Sequence, residues 1–154
     1  GFADKEFDLA YCSHVIEHVE FPRLLLREIS RISKFQVFEV PLDYHIGIDK
    51  NINHFLSYGH INVYTPSLLK FLLKTEGFEV LNELHTEIAD EVTLFNWYEN
   101  MGLEKSFKRE FTWKINKLKR KVWRAIANKA KVEEYGYNAY TCLIQNTEGL
   151  QIFK

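Results

Sequence analysis

Two histidines and a glutamate stand close together near the start of the chain, in the order His-Val-Ile-Glu-His over positions 14–18. This spacing is that of the inverted zinc-protease motif, H-x-x-E-H. On a helix, histidines four residues apart share a face and could bind zinc, with Glu17 as a general base. That motif needs a long helix and a third ligand, whereas here a strand-like segment precedes it and Pro22 starts a new helix soon after it. The sequence therefore predicts no metal site, and zinc binding is the rival hypothesis that metal analysis would test.

The same histidines are candidates for acid–base chemistry, because the pKa of an imidazole lies near working pH. His14, His18 and His60 are the candidate catalytic residues. Plainer interpretations stay open for each kind of position. His18 could be a helix-start residue bonded to backbone, His60 could order its own loop, and Glu17 could favour the positive end of a helix.

Strand-like and helix-like segments alternate along the chain. The predicted strands are Phe7–Tyr11, Gln36–Val40, Phe78–Leu84 and Tyr137–Gln145, and helical patterns start at Pro22 and Pro66 and cover about 91–131. Thr65 suits an N-cap and Gly77 suits a left-handed C-cap. An α/β architecture follows from this alternation, with residues 1–154 as one domain and a helical, basic insertion at about 91–131.

Polar residues that follow the first two strands are the candidates for ligand binding. In an open α/β sheet the ligand lies beyond the carboxyl ends of the strands. Cys12, Ser13 and His14 follow the first strand, and Pro41 and Asp43 follow the second. These residues are therefore expected at one edge of the sheet.

The composition excludes several classes of protein. Apolar residues make up 46% of the 154 residues, which indicates a packed core instead of disorder. The two cysteines form no C-x-x-C pair, which argues against a disulfide framework and favours a reducing compartment. No apolar run is long enough for a transmembrane segment, and acidic and basic residues interrupt the N-terminus where a signal peptide would be apolar. The expected location is the cytoplasm.

Positive charge is concentrated in one segment. Residues 105–131 hold eleven Lys/Arg and one acid, Glu110, although the net charge of the whole chain is −1. Apolar residues recur every three or four positions in the same segment, which is typical of an amphipathic helix. One interpretation is a solvated helix whose apolar stripe packs on the domain. The other is a docking surface for an anionic partner: anionic lipid, a phosphorylated carrier or nucleic acid, although the sequence has no base-reading motif.

Several segments in order resemble class I S-adenosylmethionine (SAM)-dependent methyltransferases of the ubiquinone-biosynthesis type. Residues 2–19 resemble the segment around that family's fourth strand, where an Ala-Asp pair precedes a Phe-Asp strand and a His-Val-Leu-Glu-His-like stretch. Further segments follow in the family's order, at 26–32, 37–41, 59–68 and 76–80. The resemblance implies half of a Rossmann-like sheet, in which this chain supplies strands 4-5-7-6 with flanking helices. Residues from about 86 to 136 match nothing in that pattern and are interpreted as an insertion.

The resemblance also implies roles for the candidate residues. Residues 12–14 would lie near the methionine part of SAM, the expected cofactor, so that Cys12, Ser13 and His14 are the predicted cofactor-binding residues. His14 and His18 could face cofactor or substrate. Near a small-molecule substrate, the predicted substrate-binding residues are Pro41, Asp43, His60 and Tyr64.

Two departures from the family pattern matter. The turn before strand five is shorter, Ser33-Lys34-Phe35, and the glycine-rich Gly-x-Gly-x-Gly turn that holds SAM has no counterpart among the seven glycines. The chain is therefore interpreted as the C-terminal part of a methyltransferase for a small-molecule, glycan or lipid acceptor, inactive by itself. The alternative is a non-catalytic interaction or dimerisation module. Cutting the sheet at strand four leaves an unpaired edge, which predicts pairing with a second copy as a homodimer, with a swapped segment or with the absent half.

Overall fold

The computed structural model describes residues 1–45, 47–147 and 149, and at positions 51 and 54 the backbone alone. The strands are β1 (Phe7–Ser13), β2 (Ser33–Pro41), β3 (Phe78–Thr86) and β4 (Ala139–Asn146). The α-helices are α1 (Pro22–Ile32), α2 (Ile52–Tyr58), α3 (Pro66–Thr75), α4 (Asp90–Phe95), α5 (Phe107–Ile126) and α6 (Lys129–Tyr135). Single helical turns of 3-10 type cover Ile16–His18 and Ile48–Asn51, and a π-helical turn covers Asn96–Asn100.

The four strands form one sheet in the order β1-β2-β4-β3. β1 and β2 are parallel and joined through α1, whereas β4 runs antiparallel to both β2 and β3. This is the 4-5-7-6 arrangement predicted from the sequence, and the prediction is confirmed. Because β1 is the edge strand, its outer side pairs with no other strand of the described residues.

Local signals set the helix boundaries that position the sheet. Pro22 and Pro66 occupy first helical turns, where a missing N–H costs nothing. The Thr65 hydroxyl accepts a hydrogen bond from the Leu68 N–H at 3.2 Å, as an N-cap does. Gly77 follows α3 with a φ of 80°, a left-handed conformation that glycine adopts at no steric cost.

The hydrophobic core lies on one face of the sheet. Inward-pointing residues of the strands, among them Phe38 and Tyr140, pack against Leu26 of α1 and Leu69 and Leu73 of α3, all fully buried. The alternate residues along the same strands point to the opposite face, since successive side chains of a strand alternate. On that face Leu9, Tyr11, Phe35 and Leu84 are exposed. The sheet is therefore covered by helices on one side, and apolar side chains on its other side meet solvent.

Helix α5 contacts the rest of the chain through its polar side. Lys117 forms an ion pair with Asp90, Arg124 forms one with Glu87, and the Trp113 ring lies 5.6 Å from that of Trp97. The apolar stripe points away from these contacts and is exposed along its whole length: Phe107, Phe111, Ile115, Leu118, Val122 and Ile126. The interpretation in which this stripe packs on the domain is therefore wrong. Among the described helices, none has the length and apolar character needed to cross a bilayer.

Candidate functional site

The carboxyl ends of β1 and β2 lie side by side and bring Ser13, His14 and Glu39 together. Ser13 is in register with Glu39, and the His14 N–H donates to the Glu39 carbonyl oxygen at 3.0 Å. His14 then leaves the strand with a φ of 51°, a left-handed conformation that is uncommon outside glycine. This turn directs the half-exposed His14 ring across the end of the sheet.

A carboxylate with two hydroxyl donors occupies the side of this edge that none of the described helices covers. Glu39 Oε2 accepts hydrogen bonds from the Tyr11 hydroxyl at 2.7 Å and the Ser13 hydroxyl at 2.9 Å. The hydrogen bond from Tyr11 is the main reason that the pKa of Glu39 lies below its usual value. The hydrogen bond from Ser13 and the nearby His14 ring act in the same direction. Glu39 is therefore an anionic acceptor at the carboxyl edge of the sheet.

Glu17 lies on the other side of His14 and is 1% exposed. Its Oε1 is 3.4 Å from His14 Nδ1 and 4.0 Å from His18 Nε2, and neither of its carboxylate oxygens has a hydrogen-bond partner in the described part of the chain. The pKa of the Tyr64 hydroxyl is raised to about 12 and that of the Cys12 thiol to about 11. Burial is the larger cause in both cases, and the charge of Glu17 is the second cause. Both groups therefore stay protonated beside the carboxylate at neutral pH.

The loop after α2 folds back onto the 3-10 turn that holds Glu17. The N–H groups of Ile61 and Asn62 both donate to the Glu17 carbonyl oxygen, at 3.0 and 2.9 Å. The Asn62 side chain donates to the Val19 carbonyl oxygen at 2.7 Å. Gly59 has a φ of 72°, and a Cβ there would lie 3.4 Å from His18 Nδ1. These contacts hold the loop at a fixed distance from the turn.

The folded-back loop brings His60 against His18. Their ring centroids are 4.8 Å apart in an edge-on arrangement. His18 Nδ1 is hydrogen-bonded to the Gly59 carbonyl oxygen at 2.9 Å, and His60 Nδ1 to Asp43 Oδ2 at 2.8 Å. Since a carbonyl oxygen and a carboxylate only accept, each Nδ1 carries a proton, and the Nε2 of each neutral ring keeps its lone pair.

The structure thus gathers most of the residues selected from the sequence. His14 and His18 lie within 4.0 Å of the Glu17 carboxylate, and a ring nitrogen of His60 lies within 4.8 Å of it. Asp43 bonds His60, and Tyr64 is buried near Glu17.

The other selected residues lie at the same edge in less exposed positions. The Cys12 side chain points into the core, so its thiol is turned away from the uncovered face. The Ser13 hydroxyl is bonded to Glu39, and Pro41 ends β2 opposite Ala139. The binding and catalytic roles assigned to all of these residues stay predictions.

Sequence reasoning left two central carboxylates out of the site. Glu17 was visible as the acid of the H-x-x-E-H spacing, but a place near a helix start explained it equally well. Glu39 is an acid between Phe38 and Val40, two residues that a strand buries on its other face, and that alternation is the available signal.

The donor set at this edge suits the amino-acid end of SAM, the cofactor that the sequence resemblance implies. Glu39 offers an acceptor for an ammonium group, and Ser13 and the His14 ring offer further polar contacts. The adenosine end needs the glycine-rich turn, which these residues do not include. The residues present therefore fit one end of the cofactor.

The sheet consists of a parallel β-α-β unit, then β4, which runs antiparallel to its neighbours, and then β3. With polar residues at the carboxyl edge, this arrangement defines a Rossmann-like domain of the methyltransferase type. Residues 1–83 match the family model described as "Methyltransferase domain". The chain belongs to this methyltransferase-domain family. No curated protein matches the chain.

Solved structures agree on the fold. A SAM-dependent methyltransferase from Archaeoglobus fulgidus superposes with a TM-score of 0.50 at 23% identity, over 94% of this chain and 61% of the other. A candidate methyltransferase from Bacillus halodurans C-125 superposes with a TM-score of 0.53 at 16% identity, over 96% of this chain and 67% of the other. At these identities the likeness concerns the fold. The chain spans about two thirds of the length of these proteins or less.

Proposed function

We propose that the chain is the C-terminal side of a SAM-dependent methyltransferase acting on a small-molecule, glycan or lipid acceptor. The observation that carries this proposal is the gathering of His14, His18 and His60 around Glu17 at the carboxyl edge of the sheet. Asp43 is bonded to His60 at the same edge. This is the edge at which open α/β sheets bind ligands. Family membership supports the reaction class. Two free buried cysteines support the reducing, cytoplasmic setting expected for it.

In the proposed reaction the chain's own residues handle the acceptor and its proton. Bound SAM would supply an electrophilic methyl group, and the rate would come largely from alignment of the acceptor. His14 is half exposed and lies within 4 Å of the carboxylates of both Glu17 and Glu39, a position from which an imidazole can take a proton from the acceptor. The Asp43 carboxylate fixes the tautomer of His60, which would orient the acceptor.

The uncovered side of the sheet is an argument that the complete enzyme has an upstream half that packs there. Leu9, Tyr11 and Phe35 expose apolar surface beside the unpaired edge of β1. A strand added at that edge would satisfy the backbone groups of β1, and helices that follow it would cover the apolar face. We therefore assign this surface to a segment that also brings the glycine-rich turn, in preference to a second copy of the chain.

SAM affinity tests this assignment. Titration calorimetry with this 154-residue chain is expected to show binding about a hundredfold weaker than that of the natural protein including its upstream part, because the adenosine contacts are missing. Micromolar binding by the chain alone would refute the assignment. A natural protein without any strand–Gly-x-Gly–helix segment before Phe2 would favour the non-catalytic alternative instead.

A second candidate function concerns α5, for which we propose attachment to an anionic lipid surface. The helix is 20 residues long, about 30 Å at 1.5 Å per residue. Phe107 is 84% exposed and starts the apolar stripe. Lys108 and Lys119 flank one side of the stripe and Lys114 and Lys121 the other, and none of the four forms an ion pair with a described residue. An apolar stripe between free lysines is the pattern of a helix lying in a membrane interface.

Charge decides between this occupant and two others. If two copies paired through their stripes, lysines would face lysines along both flanks and repel. Nucleic acid would satisfy the lysines but not the aliphatic side chains Ile115, Leu118 and Val122 between them. An anionic bilayer satisfies both, because headgroups attract the lysines and acyl chains take the stripe.

Vesicle sedimentation tests the lipid proposal. We expect the full chain to bind vesicles of phosphatidylglycerol and phosphatidylcholine in equal parts, and pure phosphatidylcholine much less. The double variant Lys114→Gln/Lys119→Gln should bind more than tenfold more weakly, at roughly fivefold for each lysine. The double variant Lys50→Gln/Lys74→Gln removes equal charge elsewhere and should bind normally.

The stripe has its own matched pair of variants. Phe111→Ser should weaken vesicle binding about tenfold. Phe71→Ser, at a phenylalanine on α3 that is more exposed still, should not. Equal loss from both members of either pair would overturn the proposal. Dimerisation that depends on Phe111 would also overturn it.

A further inference from the structure

Two histidines in the site are oriented as metal-binding histidines are. His18 Nδ1 donates to the Gly59 carbonyl oxygen and His60 Nδ1 donates to the Asp43 carboxylate. In metal sites the ligating imidazole usually donates its other N–H to a backbone carbonyl or a carboxylate, which fixes the tautomer and the ring orientation. Both outer contacts exist here, and each leaves Nε2 as the nitrogen available to a ligand.

The Glu17 carboxylate faces the same space without a donor of its own. It is 1% exposed, and its two oxygens make no hydrogen bond within the described residues. A buried carboxylate without a partner is costly, and such groups are normally paired or bound to a metal. One donor atom from each of Glu17, His18 and His60 lies within 4.8 Å of the others. The Glu17 carboxylate and one nitrogen of each imidazole therefore lie close enough together to approach a single ion.

We propose that Glu17, His18 and His60 bind one divalent transition-metal ion. Two imidazole nitrogens and one carboxylate oxygen suit Zn²⁺, Co²⁺ or Fe²⁺, whereas Mg²⁺ and Ca²⁺ prefer oxygen ligands throughout. Bonds of about 2.1 Å in a tetrahedron separate ligand atoms by about 3.4 Å, so small side-chain rotations would close the site. The backbone N–H groups of Ile61 and Asn62 donate to the backbone carbonyl oxygen of Glu17, and these hydrogen bonds hold the two ligand-bearing segments together.

This site differs from the zinc-protease hypothesis raised by the sequence, and it departs from the sequence-based prediction of no metal. The 3-10 turn Ile16–His18 replaces the long helix which that motif needs. His60, from a distant loop, supplies the third ligand, and Glu17 is a ligand instead of a base. Three protein ligands leave at least one coordination position open to water or to an oxygen of the acceptor. The proposal does not depend on SAM binding.

Metal binding by the full chain is the direct test. After equilibrium dialysis against Zn²⁺, we expect one bound ion per chain, and substitution with Co²⁺ should give the visible absorption of a low-coordinate nitrogen/oxygen site. Glu17→Gln keeps the size of the side chain and should weaken Zn²⁺ binding at least a hundredfold. Asp43→Asn touches no ligand atom directly and should weaken binding by about 10–100-fold, because it alters the outer contact of His60.

Controls separate ligation from folding. His45→Gln removes an exposed histidine from outside the cluster and should leave Zn²⁺ binding unchanged. Circular dichroism of Asp43→Asn should match the parent chain, since Asp43 is partly exposed. Failure to retain one Zn²⁺ per chain would overturn the proposal. Equal losses in His45→Gln and Glu17→Gln would overturn it as well.

Discussion

Replacing Glu76 with glutamine is expected to lower the free energy of unfolding by about 3 kcal/mol. Glu76 is buried at the end of α3 and accepts hydrogen bonds from Arg23 Nη1 at 2.5 Å and Arg27 Nε at 2.8 Å, both on α1. Its carboxylate therefore joins the two helices that cover the core. The amide would keep the shape but lose the charge, so both charge-assisted hydrogen bonds would weaken. Urea unfolding at pH 7 measures the difference.

The effect of Glu76 should depend on pH in one direction. Hydrogen bonds from Arg27 and then Arg23 hold the pKa of Glu76 below its usual value in the folded chain. The unfolded chain therefore takes up this proton at higher pH than the folded chain does. The stabilisation is complete above the ordinary glutamate pKa and is lost as pH falls through the folded value. The difference between the parent chain and Glu76→Gln should accordingly shrink when the urea titration is repeated at acid pH.

An exposed ion pair provides the comparison. Glu28 pairs with Arg31 at 2.6 Å on the surface of α1, and Glu28→Gln should change the free energy of unfolding by less than about 1 kcal/mol. If Glu28→Gln and Glu76→Gln destabilised the chain equally, burial of Glu76 would not be the cause. A Glu76→Gln effect that grew toward acid pH would contradict the assigned direction of the pKa.

The order of strands and helices was predictable because residues at the ends of these elements indicate where each begins or stops. Pro22 and Pro66 begin helices, Thr65 caps α3, and Gly77 ends it, each for a reason that lies within one turn of chain. The strand bounds moved by a few residues: β2 begins at Ser33 directly after α1, where the sequence pattern alone started it at Gln36. Hydrogen bonding to β1 extends the strand beyond its apolar segment.

The orientation of α5 was not predictable from periodicity. Apolar residues that recur every three or four positions show that a helix has an apolar side. They do not show which side of the helix contacts the domain. Lys117 and Arg124 pair with Asp90 and Glu87, which lie some thirty residues earlier in the chain. Those pairs depend on where β3 ends and α4 begins, and no local pattern contains that information.

The candidate site was half predictable for a related reason. The rule that ligands lie at the carboxyl ends of strands selected His14 and Asp43, and the parallel pairing of β1 and β2 puts both at one edge of the sheet, although their roles stay predictions. The position of His60 against His18 depends on the backbone hydrogen bonds of the folded-back loop. The central role of Glu17 appears only when its lack of a donor is seen in three dimensions.

Replacing Phe38 with alanine is expected to lower the free energy of unfolding by about 3–5 kcal/mol. Phe38 is fully buried on the central strand β2, in register with Cys12 on one side and Cys142 on the other. It lies in the core beneath α1 and α3, so the removed ring would leave a cavity that neighbours on two rigid strands cannot fill. Phe38→Leu, which keeps most of the volume, should cost less than about 1.5 kcal/mol.

Phe71→Ala on α3 is the matched control, since Phe71 is 68% exposed and its truncation opens no cavity. Urea titration of the three variants measures the differences, and equal losses from Phe38→Ala and Phe71→Ala would contradict the cavity mechanism. Among the described residues, helices cover one face of this sheet, and that part of the chain has a single core layer. A loss of 3–5 kcal/mol is a large share of the roughly 5–15 kcal/mol that stabilises a typical domain. A segment that covered Leu9 and Phe35 on the opposite face would add a second layer, and the same Phe38→Ala change should then leave a larger folded fraction.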